Sequence, residues 1–241
     1  MRVLALDSSG IVASVAVVED DTLVAEYTVN YKKTHSQTLL PMLDEIVKMT
    51  ELDLKTIDAI AVAKGPGSFT GLRIGSAPAK GLGLALDKPL VGIPTVEALA
   101  YNLYDVNGLI CPIMDARRKQ VYTGIYRYED HRLMTVKDQM AVGIEEFLSM
   151  LNEMGEAVTF LGDGVPVFKD IIADKLTVPF SFAPAHLSRQ RAGAVGALGV
   201  LYYKEGRTET AAEHKPDYLR VSQAERERAQ KLKKESEGEN A

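Results

Sequence analysis

Residues 61–86 read Ala-Val-Ala-Lys-Gly-Pro-Gly-Ser-Phe-Thr-Gly-Leu-Arg-Ile-Gly-Ser-Ala-Pro-Ala-Lys-Gly-Leu-Gly-Leu-Ala-Leu, and they follow directly on an apolar run that begins at Ile57. The run, 57–63, is a short strand. Gly65 and Gly67 can take positive φ and Pro66 fixes its own, so the chain turns sharply there. Ser68 and Thr70 stand where side-chain oxygens can satisfy the first free N–H groups of a helix. Gly75, Ala79 and Gly83 then recur at i, i+4 and i+8. Propensity opposes a helix, since each Gly costs about 1 kcal/mol and Pro78 about 3. A helix over 71–86 is nevertheless expected, because a face without side chains lets a neighbour approach closely, with Pro78 absorbed as a kink. Strand, elbow and helix in that order indicate an α/β fold.

Working outward, residues 2–6 form a strand ending on Asp7-Ser8-Ser9-Gly10, and residues 11–18 resume as its hairpin partner. A third strand is expected over 23–31. Thr34 and Gln37 match a capping box, opening a helix to about Thr50 with Leu39, Leu40, Leu43, Ile46 and Val47 as apolar positions. A strand at 90–93 and a helix to about Tyr104 follow. The pattern then repeats: a strand at 109–114 ends on Asp115-Ala116-Arg117, where Asp115 stands as Asp7 does, and strands at 120–128 and about 133–136 follow it. A helix over about 143–154, a strand at 157–161 and a helix over 189–204 complete this half. The chain is thus a duplicated unit of two βββαβαβα-type halves, 1–106 and 107–221, joined by a polar stretch at 105–108. Residues 216–220 are a last apolar anchor, which can pack back on the first half with the last helix. The charged residues 222–241 read as frayed or disordered.

The 241 residues are 46% apolar, carry a net charge of −5, and include one cysteine, Cys111, in an apolar run. That composition gives a globular chain with a sizeable core and no internal disulfide. No stretch is long and apolar enough for a membrane helix, and the early Asp7 argues against a signal peptide, so a cytoplasmic protein is expected. The acidic balance argues against independent nucleic-acid binding; Arg117, Arg118, Lys119 and residues 231–234 read as solvated basic faces. The four histidines are isolated, His35 reads as an ordinary surface residue, and no metal-ligand spacing occurs. The elbow is not a phosphate loop, because Lys64 precedes it and Leu72-Arg73 follow Gly71. Nor is it a dinucleotide fingerprint, since Thr70 replaces the third glycine.

Five motifs, in order, carry a resemblance: residues 4–9 (Leu-Ala-Leu-Asp-Ser-Ser), 35–41 (His-Ser-Gln-Thr-Leu-Leu-Pro), 65–75 (Gly-Pro-Gly-Ser-Phe-Thr-Gly-Leu-Arg-Ile-Gly), 115–118 (Asp-Ala-Arg-Arg) and 218–220 (Tyr-Leu-Arg). Together they resemble the bacterial TsaB family, also called YeaZ, within the actin-like ATPase superfamily of acetate and sugar kinases, heat-shock chaperones and actin. The resemblance implies the actin-like fold and a role in making N6-threonylcarbamoyladenosine next to the anticodon of tRNAs that read codons beginning with A. It implies that the catalytic subunit is the paralogue TsaD, that the ATPase TsaE joins them, and that tRNA, ATP, magnesium and threonylcarbamoyl-adenylate are used by the complex. No cofactor or metal is then expected on this chain. TsaD binds metal through His-x-x-x-His, and the corresponding residues here are Thr95 and Leu99, poor ligands both.

A scaffold and activator without catalysis of its own is therefore the expected function. The alternative is an ATP-dependent enzyme of the same superfamily, a small-molecule kinase or a carbamoyl-transferring protein, with Asp7 and Asp115 as magnesium or base candidates; Asp7, Ser8, Asp115 and Arg117 are the candidates for a residual nucleotide site between the halves. Against it, the second hairpin carries Asp-Ala-Arg-Arg-Lys and no glycine before Gly124, so long side chains crowd any phosphate. Aspartates in hairpin turns are also ordinary turn residues. A peptidase is discounted, since no His-Glu-x-x-His is present. The resemblance suggests a paired-helix interface with TsaD, expected on Leu39, Leu43, Val47, Leu72, Gly75, Ala79 and Gly83 beside the turn Gly65-Pro66-Gly67-Ser68-Phe69-Thr70-Gly71. The same surface could form a homodimer when TsaD is absent.

Overall fold

The computed structural model describes residues 1–31 and 34–220. The first half runs β1 (Arg2–Asp7), β2 (Ala13–Glu19), β3 (Thr22–Val29), α1 (His35–Met49), β4 (Ala59–Gly65), α2 (Phe69–Leu86), β5 (Leu90–Pro94) and α3 (Thr95–Tyr101). The second runs β6 (Leu109–Asp115), β7 (Gln120–Glu129), β8 (Arg132–Gly143), α4 (Ile144–Met154), β9 (Val158–Leu161), α5 (Val165–Lys175), β10 (Phe180–Phe182) and α6 (Ala192–Lys204). The sheets are ordered β3-β2-β1-β4-β5 and β10-β9-β6-β7-β8, the same permutation read in opposite directions. In each, a hairpin supplies antiparallel strands and helical crossovers supply the parallel ones.

β1 is buried on both faces, which explains its unbroken apolar run. Leu4 and Leu6 face α1 and α2, while Val3 and Ala5 face α6. The face toward α6 is alanine-rich because α6 comes close: a Cβ on Gly196 would lie 2.6 Å from Val18 Cγ2, and one on Gly199 2.7 Å from Ala61 Cβ. The two halves exchange helices. α6 packs on the first sheet, whereas Val96, Leu99 and Ala100 of α3 pack with Ile110, Met114 and Tyr126 of the second. Residues 1–106 therefore divide the sheets but not the cores. The start of α6 is held from the first half, where Ser14 Oγ accepts the Ala192 N–H at 2.8 Å and Glu26 accepts the Gly193 N–H at 2.9 Å.

Several local expectations are corrected. The Thr34 side chain does not cap α1 but bonds the Ser36 hydroxyl at 3.1 Å, so the capping box is unmade. β8 extends over twelve residues rather than four, and α3 stops at Tyr101. α5 and β10 are further elements of the second half, beyond those its apolar pattern predicts. Cys111 is buried, and burial pushes its thiol far up. Among the described residues no helix is long and apolar enough to cross a membrane. The tail assigned to 222–241 lies outside the described residues.

Candidate functional site

The first hairpin turn is sealed by the elbow. Asp7 is buried, and its Oδ1 accepts the Ser9 N–H at 2.9 Å and the Ser9 hydroxyl at 2.6 Å. Ser8 Oγ donates to the Gly71 carbonyl at 2.8 Å, and the Ser68 N–H donates to the Ser9 carbonyl at 2.7 Å. A Cβ on Gly67 would lie 2.3 Å from the Ser9 oxygen, and one on Gly71 2.2 Å from the Ser8 oxygen. Those glycines let the elbow rest directly on the hairpin backbone. Gly65 has φ +121° and its bond to Pro66 is cis. Ser68 caps α2 by accepting the Gly71 N–H at 3.2 Å, while Thr70 lies within the helix and is exposed. Burial raises the Asp7 pKa, opposed by the Ser9 hydrogen bonds and the nearby His35. His35 is half-buried rather than a plain surface residue, and its Nε2–H donates to the Gly10 carbonyl at 2.8 Å.

The second half has its own elbow, Gly162-Asp163-Gly164, which sequence reading missed although Gly-x-Gly after an apolar strand repeats the pattern of residues 65–67. The Gly164 N–H donates to the Ile113 carbonyl at 2.9 Å, and a Cβ on Gly162 would lie 2.2 Å from the same oxygen. Asp115 folds back on its own turn, accepting the Arg117 N–H at 2.8 Å and pairing with the Arg117 guanidinium at 3.0 Å. Arg117, Arg118 and Lys119 all have positive φ, of 65°, 56° and 56°. The left-handed region costs about 1–2 kcal/mol for each such residue.

Between the halves lies a cavity of about 330 Å³ lined by Ser9, Gly10, Ser68, Asp115, Arg117, Asp163 and the segment 217–220. That segment is a strap across both halves. The Asp217 N–H donates to the Lys64 carbonyl at 2.6 Å, and Gln139 Nε2 donates to the Asp217 carboxylate at 2.8 Å. The Tyr218 ring lies 4.6 Å from that of Phe69, with Arg73 donating to its hydroxyl at 3.1 Å. Arg220 donates to the Ala116 carbonyl. Upstream, buried His214 anchors the strap to Ser76 Oγ at 3.0 Å. Of the residues expected at a nucleotide site, Asp115 and Arg117 line this cavity; Asp7 and Ser8 are buried away from its lining.

A nucleotide with magnesium does not fit these residues. The Ser9 and Arg117 N–H groups are spent on aspartates of their own turns. Asp115, Asp163 and Asp217 line the cavity together with Arg117 and Arg220, and Asp115 is already paired with Arg117. Thr95 and Leu99 are buried in α3, the Thr95 hydroxyl without a hydrogen-bond partner. Among the described residues, no group of three His, Cys, Asp or Glu is placed to hold a metal.

The helix faces also differ from expectation. Leu39, Leu43, Leu72, Gly75, Ala79 and Gly83 are buried in the first half, and half-buried Val47 packs against the same core. A Cβ on Gly75 would lie 2.5 Å from Ser8 Oγ, and one on Gly83 2.4 Å from Leu90 Cδ1. The smooth face of α2 is thus used by its own sheet, and of these residues only Val47 keeps an accessible surface. What α2 presents outward is Arg73, Ala77, Gly81, Leu84 and Ala85, with Leu84 72% exposed. On α1, which packs beside α2, Leu40 is 54% and Met49 76% exposed.

Comparison with known proteins agrees with this architecture. Residues 22–228 match the family model described as TsaD: tRNA N6-adenosine threonylcarbamoyltransferase. The tRNA threonylcarbamoyladenosine biosynthesis protein TsaB of Bacillus subtilis (strain 168) is 37% identical, over 93% of this chain and 96% of its own. The solved structure of YeaZ from Pseudomonas aeruginosa superposes with a TM-score of 0.77 at 24% identity, covering 90% of this chain and 99% of that one. Inorganic polyphosphate/ATP-glucomannokinase from Arthrobacter sp. strain KM has a TM-score of 0.51 at 13% identity, covering 84% of this chain and 99% of its own, a likeness of fold alone. With a relative of this identity along nearly its full length, the chain belongs to the TsaB family.

Proposed function

We propose that this chain is the non-catalytic subunit that activates TsaD in tRNA threonylcarbamoyladenosine biosynthesis, and that it docks through the outward faces of α1 and α2. The observation that carries the reading is the sealed first turn: the elbow rests on Ser8 and Ser9, and Asp7 is committed to Ser9. An actin-like ATPase needs that turn open to phosphate. On this reading ATP, magnesium and threonylcarbamoyl-adenylate are handled by the complex, TsaE joins it as a separate ATPase, and tRNA reaches this chain only there, in the cytoplasm. Leu40, Met49 and Leu84 supply apolar anchors on adjacent helices, and Ala77, Gly81 and Ala85 let a partner helix approach. Without TsaD, a second copy covers the same face, and adding TsaD converts homodimer to heterodimer.

The test is Leu40→Glu/Leu84→Glu, measured by sedimentation with TsaD and by circular dichroism. A folded chain whose TsaD affinity falls at least about tenfold supports the reading; a folded variant that binds as the parent does overturns the docking face. Titrating the isolated chain with ATP and magnesium addresses the alternative enzyme, for which micromolar affinity is required and none is expected.

A further inference from the structure

The second hairpin turn is built from the wrong residues for its shape. The Gln120 N–H donates to the Arg117 carbonyl at 3.1 Å, and Arg118 and Lys119 take the central positions of a turn with φ of 56° at both. Such a type I′ turn is served best by Asn-Gly. Elsewhere the non-glycine residues at positive φ are Asp20, Glu51, Asp87, Asp105, Asp130 and His131, so the basic ones gather in this turn alone among the described residues. The shape is firmly held: Asp115 accepts the Arg117 N–H, and the Ile144 N–H donates to the Lys119 carbonyl at 3.0 Å. It displays its side chains outward. Arg117, Arg118 and Lys119 are all exposed, the Arg117 side chain by 86% even while paired with Asp115. Arg220 adds a fourth cation on the Ala116 carbonyl, and the strap links it to Arg73 on the outward face of α2.

We propose that this turn, with Arg220 beside it, contacts the phosphate backbone of the tRNA held by the complex. The inference rests on the reading above, in which the chain works beside TsaD. An extended polyanion fits better than a small anion, because Arg117, Arg118 and Lys119 all stand exposed on a protruding turn rather than converging on one point. Solubility does not account for the residues, since on a chain of net charge −5 added cations bring the total toward zero. Nor does turn formation, which these residues oppose.

The variant Arg118→Asn/Lys119→Gly separates display from structure, because it suits the turn better than the native pair. In the full chain it should raise the melting temperature and leave the TsaD heterodimer intact. The heterodimer should then bind unmodified tRNA at least threefold more weakly near 0.15 M salt, with the slope of log K against log salt reduced by about 0.7–0.9 for each lost phosphate contact. Arg118→Lys should retain parental tRNA binding. Unchanged affinity and slope in a heterodimer that forms normally overturn the inference while leaving the partner reading intact. Failure of the parent chain to bind TsaD removes the partner reading itself, and this inference with it.

Discussion

In the first half, the α2 elbow seats on Ser9, two residues beyond the strand-end Asp7; in the second, the Gly162-Asp163-Gly164 elbow seats on Ile113, two residues before Asp115. This shift in seating buries the first turn and leaves the second standing free. The two halves share topology and strand order, yet their hairpin turns are exposed differently. One turn is covered by its own helix start. The other is filled with long cationic side chains. A duplicated fold thus constrains where turns occur but leaves their exposure to a few close backbone contacts.

The comparison breaks most directly at the glycines that permit the covered turn. Gly67→Ala or Gly71→Ala forces a Cβ against the Ser9 or Ser8 carbonyl and should cost about 3 kcal/mol, lowering the melting temperature by roughly 6–12 °C. Gly81→Ala, whose Cβ would meet nothing within 4 Å, should instead stabilise by up to about 1 kcal/mol. Calorimetry on the three variants decides; equal losses would mean that the elbow does not rest on the hairpin. Next in size is the strap. Tyr218→Ala removes the Phe69 contact and the Arg73 hydrogen bond, and should cost about 1–2 kcal/mol by urea denaturation.

The two aspartates sharpen the comparison further. Because burial raises the Asp7 pKa above its ordinary 3.8, its ionised form opposes folding, and the penalty grows as pH rises above about 4. Asp7→Asn keeps an oxygen for the Ser9 donors and should stabilise the chain at pH 7, the gain vanishing as pH falls below about 4. Asp115→Asn should have the smallest effect, a loss below about 1 kcal/mol, since its ion pair is with an arginine in solvent. Denaturation curves from pH 3 to 8 distinguish the two.

Much of this was legible in the sequence because it rests on local chemistry. Ser68 caps α2 as read, and Asp115 answers to Asp7 in the repeat. The direction of α2 was not legible. Its sequence carries two small-residue stripes, Gly75/Ala79/Gly83 and Ala77/Gly81/Ala85, each at helical spacing, and only the fit against Ser8 and Leu90 selects the first for the core. α5 escaped notice because it buries only Phe168 and Ile172, too few to mark a period. β10 escaped because its three residues are exposed. The Thr34-x-x-Gln37 pattern is present, but the Thr34 side chain bonds the Ser36 hydroxyl rather than a helix N–H. The strained turn at 117–119 was legible only as a charge run, since nothing in three basic residues announces positive φ.

Neither hairpin aspartate is expected to take part in chemistry. This is tested most directly by Asp7→Asn/Asp115→Asn in a reconstituted threonylcarbamoyladenosine assay with TsaD and TsaE, scored by the rate of tRNA modification. The account predicts a rate within about twofold of the parent chain. A folded double variant that still forms the heterodimer but loses modification by a hundredfold or more would contradict it, since general acid–base or metal-binding carboxylates carry effects of that size.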